Sequence, residues 1–552
     1  MADCYKVFTF LLYQSISYEQ YCITASLLPK PNFHHIKGCN MRALLAFMLT
    51  LYSAVDDSPA NNVVKSVRAY REANEVQILE ALRDYVAISN VTADGANIRR
   101  NAQYLASELK RRGLNAELLE RQGVNPVVYA DRISIGAKRT LVIYTHYDGQ
   151  PVRPSEWKVN ADLTDPDEQK RPWTPVLYDK PQSEGGKRLG WPAVGSRIDP
   201  EWRLYGRSSS DDKGPIVAIL SALDALKDAK VEPTSNLRFV FDGEEEDGSP
   251  NLADFIKGHA DKLKGDIWLI FDGPTHQSRR PQLVFGVRGV VDFEITVYGA
   301  VKELHSGHYG NFAPNPALRL SHLLTSMKDE RGNVLVKGFE DSVEPLSELE
   351  QQAIENLPDF DAQLREEFQF AESEGSPQTY WERLSHPSLN IRGMASSRVG
   401  KEATNTVPAS ATAAIEVRLV KGNDPKQMVN LIVKHIEARG YHVVDEDPDP
   451  AARRKYPLIA KVTRGPGYPA ARTPMDNPLA RQVQGAMRAV TGDSLLLVPS
   501  MGGSLTLHVL PDPFVIVPTV NHDNNQHSSD ENLRIANLWY AVDVVSVILT
   551  MP

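Results

Sequence analysis

The sequence contains only 3 cysteines among 552 residues, and they are Cys4, Cys22 and Cys39. Disulfide-scaffold proteins carry far more cysteine than this, so that class is excluded. Because no cysteine follows Cys39, the rest of the chain has neither a catalytic thiol nor the ligands of a thiolate zinc site. Any chemistry beyond residue 39 therefore uses other side chains.

Long basic segments are also missing. There are 61 Lys and Arg residues against 70 Asp and Glu residues, which gives a formal net charge of −9, and the basic residues form no long block. Nucleic acid is therefore not an expected partner. The hydrophobic fraction of 42% is ordinary for a soluble protein and excludes a disordered or collagen-like chain. At roughly 100 to 200 residues per domain, the length predicts two or more domains.

An apolar run near the N-terminus, residues 43–54, is too short to span a bilayer, which requires ~20 residues. No stable membrane span is therefore expected. The run follows Met41 and Arg42 and precedes polar residues, which is the outline of a secretory signal peptide. We interpret residues 41–58 as a signal peptide and residues 1–40 as an extension upstream of the true start at Met41. The alternative is a buried N-terminal helix or a disordered tail.

The expected localisation depends on this interpretation. The protein is expected to be periplasmic or secreted if translation starts at Met41, and cytoplasmic otherwise. A chain that has no cysteine beyond residue 39 agrees with export to an oxidising compartment, because it has no thiol to mispair there.

Four short apolar runs predict strands that are buried on both faces of a sheet. The runs are residues 140–144, 237–241, 267–271 and 514–517. Apolar residues at helical spacing after Pro215 predict an amphipathic helix that begins at this proline. The order strand, helix, strand predicts an α/β fold, in which a mixed, mostly parallel sheet is flanked by helices.

A different pattern begins near Gly286. Residues 291–298 and 412–420 alternate apolar and polar side chains, as half-exposed antiparallel strands do. Helical patterns cover residues 315–327 and 425–438, and the acidic stretch 344–374 is typical of surface helices. We therefore predict that a smaller α+β domain, residues 286–470, is inserted between two parts of the α/β domain, residues 60–285 and 471–552.

Polar clusters follow the four predicted buried strands, and a fifth cluster precedes the predicted helix. The carboxyl ends of strands meet at the ligand crevice of an open α/β sheet, so these clusters are expected to converge. Taken singly, each has an ordinary explanation as a surface histidine, a solvated acidic face or a helix cap. The clusters are residues 145–149, 206–214, 242–249, 272–273 and 521–531.

Together the clusters supply at least two histidines and at least three carboxylates. Mixed shells of this kind suit Zn²⁺, with Mn²⁺ or Co²⁺ as alternatives. So many acidic groups in one crevice require cations, and two divalent ions would neutralise them. The sequence therefore predicts a dinuclear metal site at the carboxyl edge of the sheet.

These elements resemble the dizinc exopeptidases, the family of carnosinase, glutamate carboxypeptidase and acetylornithine deacetylase. The resemblance runs from about residue 75 to residue 552 in the family's order. It is closest to the carnosinase-like dipeptidase branch, on residues 286–289, 304–310 and 387–389. The motifs that carry it are His146-x-Asp148, residues 206–214 with Asp211, Glu245-Glu246-x-Gly248-Ser249, Asp272, His305-Ser306-Gly307 and His527.

The resemblance implies a role for each motif residue. Asp211 would bridge two metal ions and lie in a cis peptide bond with Asp212. His146 and Asp272 would complete the ligands of one ion, and Glu246 and His527 those of the other. Asp148 would orient the His146 imidazole. Glu245 would be the general base that transfers a proton from water to the leaving amine.

The resemblance also implies substrate contacts and a homodimer. Arg418 would bind the substrate carboxylate, for which a guanidinium fork is suited, and Asn405 and Ser504 would make further contacts. His305 would stabilise the oxyanion in the neighbouring subunit's active site, so that the inserted domain serves as both lid and dimerisation domain. The alternatives are a surface loop histidine for His305 and a water-facing arginine on a lid strand for Arg418.

Metal-dependent hydrolysis of dipeptides or short peptides is the function that these features favour. Within the same superfamily, an N-acyl amino acid deacylase is the first alternative. Members with Asp at the position of Asp272 tend to be aminopeptidases and dipeptidases, which favours the peptidase. A non-catalytic metal-binding protein is the second alternative, and the intact Glu245 is an argument against it.

Overall fold

The computed structural model describes residues 59–162, 168–375 and 377–552. The three cysteines, the predicted extension 1–40 and the predicted signal peptide 41–58 lie outside the described residues, so these interpretations stay predictions. Within the described ranges, none of the helices combines the length and the hydropathy of a membrane span.

Eight strands form the larger sheet, and its four central strands are the predicted ones. Asn236–Asp242, Thr140–His146, Ile267–Ile270 and Phe514–Ile516 lie side by side and run parallel to one another. The sheet is mixed because antiparallel pairs flank this parallel centre. The outer strands are Asn115–Leu119 and Val127–Arg132 on one side, and Gln282–Val284 and Leu496–Val498 on the other.

Both faces of the central strands are buried, as the continuous apolar runs predicted. In Thr140–His146, Leu141 and Ile143 pack into one hydrophobic core while Val142 and Tyr144 pack into another on the opposite face. Helices cover the sheet on both faces, which confirms the predicted α/β class. The helices of this part are Pro59–Ala73, Glu75–Val86, Gly95–Arg111, Lys213–Asp228, Leu252–Gly258, Ala260–Leu263, Pro478–Thr491 and Ile535–Leu549.

The helix predicted to begin at Pro215 begins two residues earlier, at Lys213. The apolar periodicity starts only after Pro215, so the first two helical residues carry no pattern that sequence reading could detect. Asp212 is the residue that precedes this helix. The helix start therefore lies directly beside the predicted metal ligand Asp211.

Five strands form the smaller sheet, in the order Ser388–Ala395, Ser410–Leu419, Gly289–Tyr298, Ile459–Tyr468 and His442–Val444. The first four are antiparallel, and their alternate residues pack against the helices Pro316–Thr325 and Pro425–Ala438. The predicted alternation and both predicted helices are thus present. The two segments that would connect the predicted domains pair with each other, Gly286–Val287 with Ala471–Arg472. The domain boundaries themselves stay a prediction.

Short elements complete the described chain. The acidic stretch 344–374 contains the helices Glu348–Glu355 and Asp361–Phe368. A four-stranded sheet consists of Asn532–Arg534, Arg203–Tyr205, Val176–Tyr178 and Arg188–Leu189, and Leu304–His305 pairs with Thr406–Val407. The other short helices are Ser306–Tyr309, Tyr380–Leu384 and Pro450–Lys455, with 3₁₀ turns at Pro154–Glu156, Glu168–Trp173, Gln182–Glu184, Glu245–Asp247, Gly400–Glu402, Gly492–Ser494 and Leu507–Val509.

Candidate active site

The carboxyl ends of the central strands bring the predicted site residues together. His146 is the last residue of its strand, and Asp272 follows the strand Ile267–Ile270 by two residues. Glu245 and Glu246 lie in the 3₁₀ turn just after Asn236–Asp242. Parallel strands present their carboxyl ends at one edge of the sheet, which is why residues far apart in sequence meet here.

Asp211 lies between two histidines. Its Oδ1 is 2.8 Å from His146 Nε2, and its Oδ2 is 3.1 Å from His527 Nε2. His527 Nε2 is also 3.2 Å from Glu246 Oε2. Each carboxylate oxygen of Asp211 thus faces a different histidine, which is the arrangement that a carboxylate bridging two ions requires. The Asp211–Asp212 peptide bond is cis, as the resemblance implies.

Two overlapping groups of side chains have the spacing of metal ligands. His146, Asp211 and Glu246 each offer a ligand atom within 4.8 Å of the others, and so do His146, Glu245 and Asp272. These donors are imidazole nitrogens and carboxylate oxygens, the set that Zn²⁺, Mn²⁺ and Co²⁺ accept. The residues present therefore fit a pair of divalent cations.

The electrostatics of the cluster also favour cations. Burial, together with the nearby Asp211 and Glu246 carboxylates, raises the pKa of Asp272 to about 6. Hydrogen bonds to Asp211 and Glu246 raise the pKa of His527 to about 10. The clustered carboxylates thus favour the protonated forms of Asp272 and His527. Because metal ligands must be deprotonated, a bound divalent cation would displace those protons.

Asp148 contacts both the histidine and the turn that carries the acidic pair. Its Oδ1 is 3.3 Å from His146 Nδ1, so His146 presents its other nitrogen, Nε2, to Asp211. The backbone N–H groups of Glu245 and Glu246 donate to the two Asp148 oxygens at 3.2 and 3.1 Å, and the Thr92 hydroxyl donates at 2.8 Å. Asp148 is fully buried and holds these groups in one relative orientation.

Glu245 is placed where a general base would act. One of its carboxylate oxygens, Oε2, is 4.0 Å from His146 Nε2, and 16% of the side chain is exposed. Burial raises the pKa of this carboxyl well above its usual range. Glu245 lines a cavity of about 500 Å³, as do Asp211, Glu246, Asp272 and His527 of the metal-ligand cluster. The lining also includes Tyr468, Met501, Ser504, Leu505 and Thr506.

The predicted substrate residues fall into two places. Arg418 does not itself line the cavity, but its Nη1 donates at 2.7 Å to Ser504 Oγ, and Ser504 does line it. His305 and Asn405 lie on the paired strands 304–305 and 406–407 or beside them, and both side chains are exposed. Neither of them is among the residues that line the cavity. Within one chain, the structure therefore does not bring His305 and Asn405 to the metal-ligand cluster.

Three residues at the site were not predicted from the sequence. Gln150 Nε2 donates to Glu246 Oε2 at 2.9 Å, and Gln526 Nε2 donates to Asp211 Oδ2 at 3.0 Å. Tyr468, at the end of a strand of the smaller sheet, lines the cavity. The two glutamines could have been suspected because they adjoin His146-x-Asp148 and His527. Tyr468 ends a strand that no polar cluster follows, so nothing in the sequence pointed to it.

Comparison with known proteins adds family and fold. Residues 181–550 match the sequence model of Peptidase family M20/M25/M40. The chain is 27% identical to the Cys-Gly metallodipeptidase dug1 of Schizosaccharomyces pombe over 341 residues, which are 60% of this chain and 64% of that protein. It is 25% identical to the Beta-Ala-His dipeptidase of Homo sapiens over 423 residues, 72% of this chain and 76% of that protein.

Solved structures resemble the described chain along most of its length. The M20 family metallo-carboxypeptidase Sso-CP2 from Sulfolobus solfataricus has a TM-score of 0.65 at 27% identity and covers 86% of this chain and 98% of its own. Human carnosine dipeptidase 1 has a TM-score of 0.61 at 21% identity, covering 88% of this chain and 98% of its own. The second likeness shows the fold alone.

Proposed function

The chain belongs to peptidase family M20/M25/M40, and from that premise we propose that it is a metal-dependent peptidase that hydrolyses the amide bond of dipeptides or short peptides. The single observation that carries the proposal is the position of Asp211 between His146 and His527, with Glu245 beside the same cluster. The two sequence relatives from Schizosaccharomyces pombe and Homo sapiens are dipeptidases by name, which supports peptides as the substrates.

In this proposal His146 and Asp272 would hold one divalent ion, Glu246 and His527 would hold the other, and Asp211 would be shared between them. Zinc is the proposed metal, with Mn²⁺ or Co²⁺ as the alternatives. When bound, the ions would lower the pKa of water and polarise the scissile carbonyl. Asp148 lies at the Nδ1 side of His146, which leaves Nε2 on the side of Asp211, where an ion would be held.

Glu245 performs the proton transfers. Its carboxylate accepts a proton from the attacking water and donates it to the nitrogen of the leaving amine, so that the group returns to its starting state. Arg418 and Ser504 bind the terminal carboxylate of the peptide from the side of the smaller sheet. A cavity of about 500 Å³ has the size of a small-molecule site and suits a dipeptide better than a long chain.

A homodimer supplies the remaining residues of the proposed site. The exposed side chains of His305 and Asn405 lie on the part of the chain that the resemblance assigns to dimerisation, away from their own chain's cavity. In the proposal, His305 of one subunit stabilises the oxyanion in the other subunit's site. The enzyme is therefore active only as a dimer.

Export is a separate proposal. We propose that translation starts at Met41 and that residues 41–58 direct the chain to the periplasm or the medium, which the apolar run after Arg42 supports. N-terminal sequencing of the exported protein tests this proposal. A mature protein that begins at Ala2 would contradict it.

The activity is tested with a panel of dipeptides and a matched panel of N-acetyl amino acids, assayed with added Zn²⁺, Mn²⁺ or Co²⁺. We expect turnover of dipeptides in the presence of metal. Turnover of only the acylated compounds would replace the proposal with a deacylase. Metal binding with no turnover of either panel would favour the non-catalytic alternative.

A further inference from the structure

Arg418 is held from one side by a carboxylate of its own strand. Arg418 Nε donates to Glu416 Oε1 at 2.9 Å and Nη2 donates to Glu416 Oε2 at 3.2 Å. The carboxylate thus accepts two bonds from one edge of the guanidinium. Such a two-point contact sets the direction of the planar group as well as its position.

Strand geometry explains why these two side chains meet. Glu416 and Arg418 are two residues apart in the strand Ser410–Leu419, so they share one face of the smaller sheet. The intervening Val417 and the residues on either side, Ile415 and Leu419, point into the hydrophobic core of the opposite face. Glu416 and Arg418 therefore lie on the face turned away from the helices.

That face leads to the cavity. Arg418 is paired across the sheet with Val290, and Val290 is paired on its other side with Tyr468, which lines the cavity. Arg418 Nη1 also reaches the cavity-lining Ser504 at 2.7 Å. The buried Arg288 donates to the Arg418 carbonyl at 3.5 Å and supports this part of the strand.

These contacts use three of the N–H donors of the Arg418 guanidinium and leave two. An arginine has five N–H groups, of which Glu416 accepts two and Ser504 one. One N–H group is left on each terminal nitrogen. Two donors on the two terminal nitrogens can bind the two oxygens of a carboxylate.

We propose that Glu416 is a positioning residue, which fixes the Arg418 guanidinium so that its two remaining N–H groups face the terminal carboxylate of a peptide in the cavity. This inference rests on the proposed peptidase function. Glu416 itself does not touch the substrate and acts through Arg418. Glu416 also neutralises the half-buried Arg418 guanidinium when no substrate is bound. Only 16% of the Glu416 side chain is exposed, so water screens this ion pair weakly.

Other charges on the same face do not replace it. Asp292 is paired across the strands with Glu416, but its carboxylate is 2.8 Å from Arg392 and is engaged there. Glu294 lies on the same face of the neighbouring strand, opposite Ala414, and is exposed. Glu294 therefore offers a matched control for the loss of one negative charge from this face.

The experiment compares Glu416→Gln with the control Glu294→Gln on a good dipeptide substrate and on the same dipeptide with a C-terminal amide. Glutamine keeps the size of Glu416 but places an amide N–H₂ against an arginine donor. We expect KM for the dipeptide to rise about tenfold with kcat within about twofold, because one charge-assisted contact that orients Arg418 is lost. The amide substrate and the Glu294→Gln enzyme should be unaffected.

A double variant tests whether Glu416 acts through Arg418. If it does, Glu416→Gln should add little to the effect of Arg418→Lys on KM, whereas independent roles would multiply. A lower KM in Glu416→Gln, or an equal change for the dipeptide and its amide, would overturn the inference. Thermal unfolding confirms that each variant is folded, and Glu416→Asp, which keeps the charge, should show an intermediate KM. Lack of dipeptide turnover by the unmodified enzyme would instead defeat the proposed function.

Discussion

Glu531 accepts a hydrogen bond from the backbone N–H of Asp211 at 3.0 Å, although 320 residues separate the two in the chain. The same buried carboxylate accepts bonds from the backbone N–H groups of Ser208 and Ser210, at 2.8 and 3.0 Å. It is also paired with the buried Arg207 at 2.8 Å. Glu531 therefore holds the loop that presents Asp211 to both histidines.

Replacing Glu531 with alanine should destabilise the protein strongly. The change leaves the buried Arg207 without its counter-charge and three backbone N–H groups without an acceptor. Breaking a buried pair in this way costs about 3–5 kcal/mol of unfolding free energy. Chemical denaturation measures the loss. The control is Glu303→Ala, which removes an exposed pair with Arg398 and should cost below about 1 kcal/mol. Equal losses of unfolding free energy in the two variants would contradict the role of Glu531 in holding the Asp211 loop.

Glu245→Gln should abolish turnover and leave metal content unchanged. The variant keeps the shape of the side chain but removes the group that accepts a proton, so kcat should fall by about 10² to 10⁴. Metal analysis and steady-state kinetics on the same preparation give both quantities. Retained activity would rule out Glu245 as the base, and lost metal would indicate that it is a ligand instead.

The number of metal ions bound should differ between variants of Asp211 and variants of His527. Asp211 faces both histidines, whereas His527 contacts Asp211 and Glu246 on one side of the cluster. We expect His527→Ala to weaken one of two bound ions and Asp211→Ala to weaken both. Chelation should inactivate the unmodified enzyme, and Zn²⁺, Mn²⁺ or Co²⁺ should restore it. A protein that binds a single ion before mutation would exclude the bridging role of Asp211.

Two inactive variants should complement each other if His305 acts across a dimer. Glu245→Gln and His305→Ala are each expected to be inactive, but a mixed dimer contains one site with both native residues. Random exchange of subunits should therefore restore about one quarter of the native activity. Activity is measured after the variants are mixed under exchange conditions. No recovery, despite proven subunit exchange, would place His305 outside the neighbouring site.

The buried His276 should make stability depend on pH. Burial, and then the neighbouring His522 and Arg280, lower its pKa to about 4. An unfolded histidine has a pKa near ~6.5, so between these values only the unfolded chain binds a proton. Stability is fully present above about pH 6.5 and falls by roughly 1–3 kcal/mol as the pH drops toward 4.

The pH dependence is checked by unfolding experiments on the native protein and on His276→Gln. The variant should lose this part of the slope between pH 4 and 6.5, because no imidazole remains to take up the proton in the unfolded chain. His322→Gln, on the exposed side of the helix Pro316–Thr325, is the control and should keep the slope. Identical slopes in the native protein and His276→Gln would refute the assignment.

Much of the fold could be predicted because each pattern reports what a segment buries. The four continuous apolar runs became the parallel centre of the larger sheet, and the alternating segments became strands with one exposed face. The predicted start of the helix Lys213–Asp228 was two residues late, because the apolar periodicity begins only after Pro215. The metal-ligand cluster could also be located, because His146, Asp211, Glu246 and Asp272 lie in polar clusters at strand ends or at a helix start.

The sequence by itself thus determined the class of fold, the family and the set of residues that converge, because hydrophobic periodicity and short motifs are local properties. Only the tertiary structure decided how those residues are held. Glu531, Gln150, Gln526, Tyr468 and Glu416 have no motif of their own, and their roles come from partners on other strands and loops. It also decided that His305 lies away from its own chain's cavity. Such contacts depend on the packing of distant segments, which local patterns do not encode.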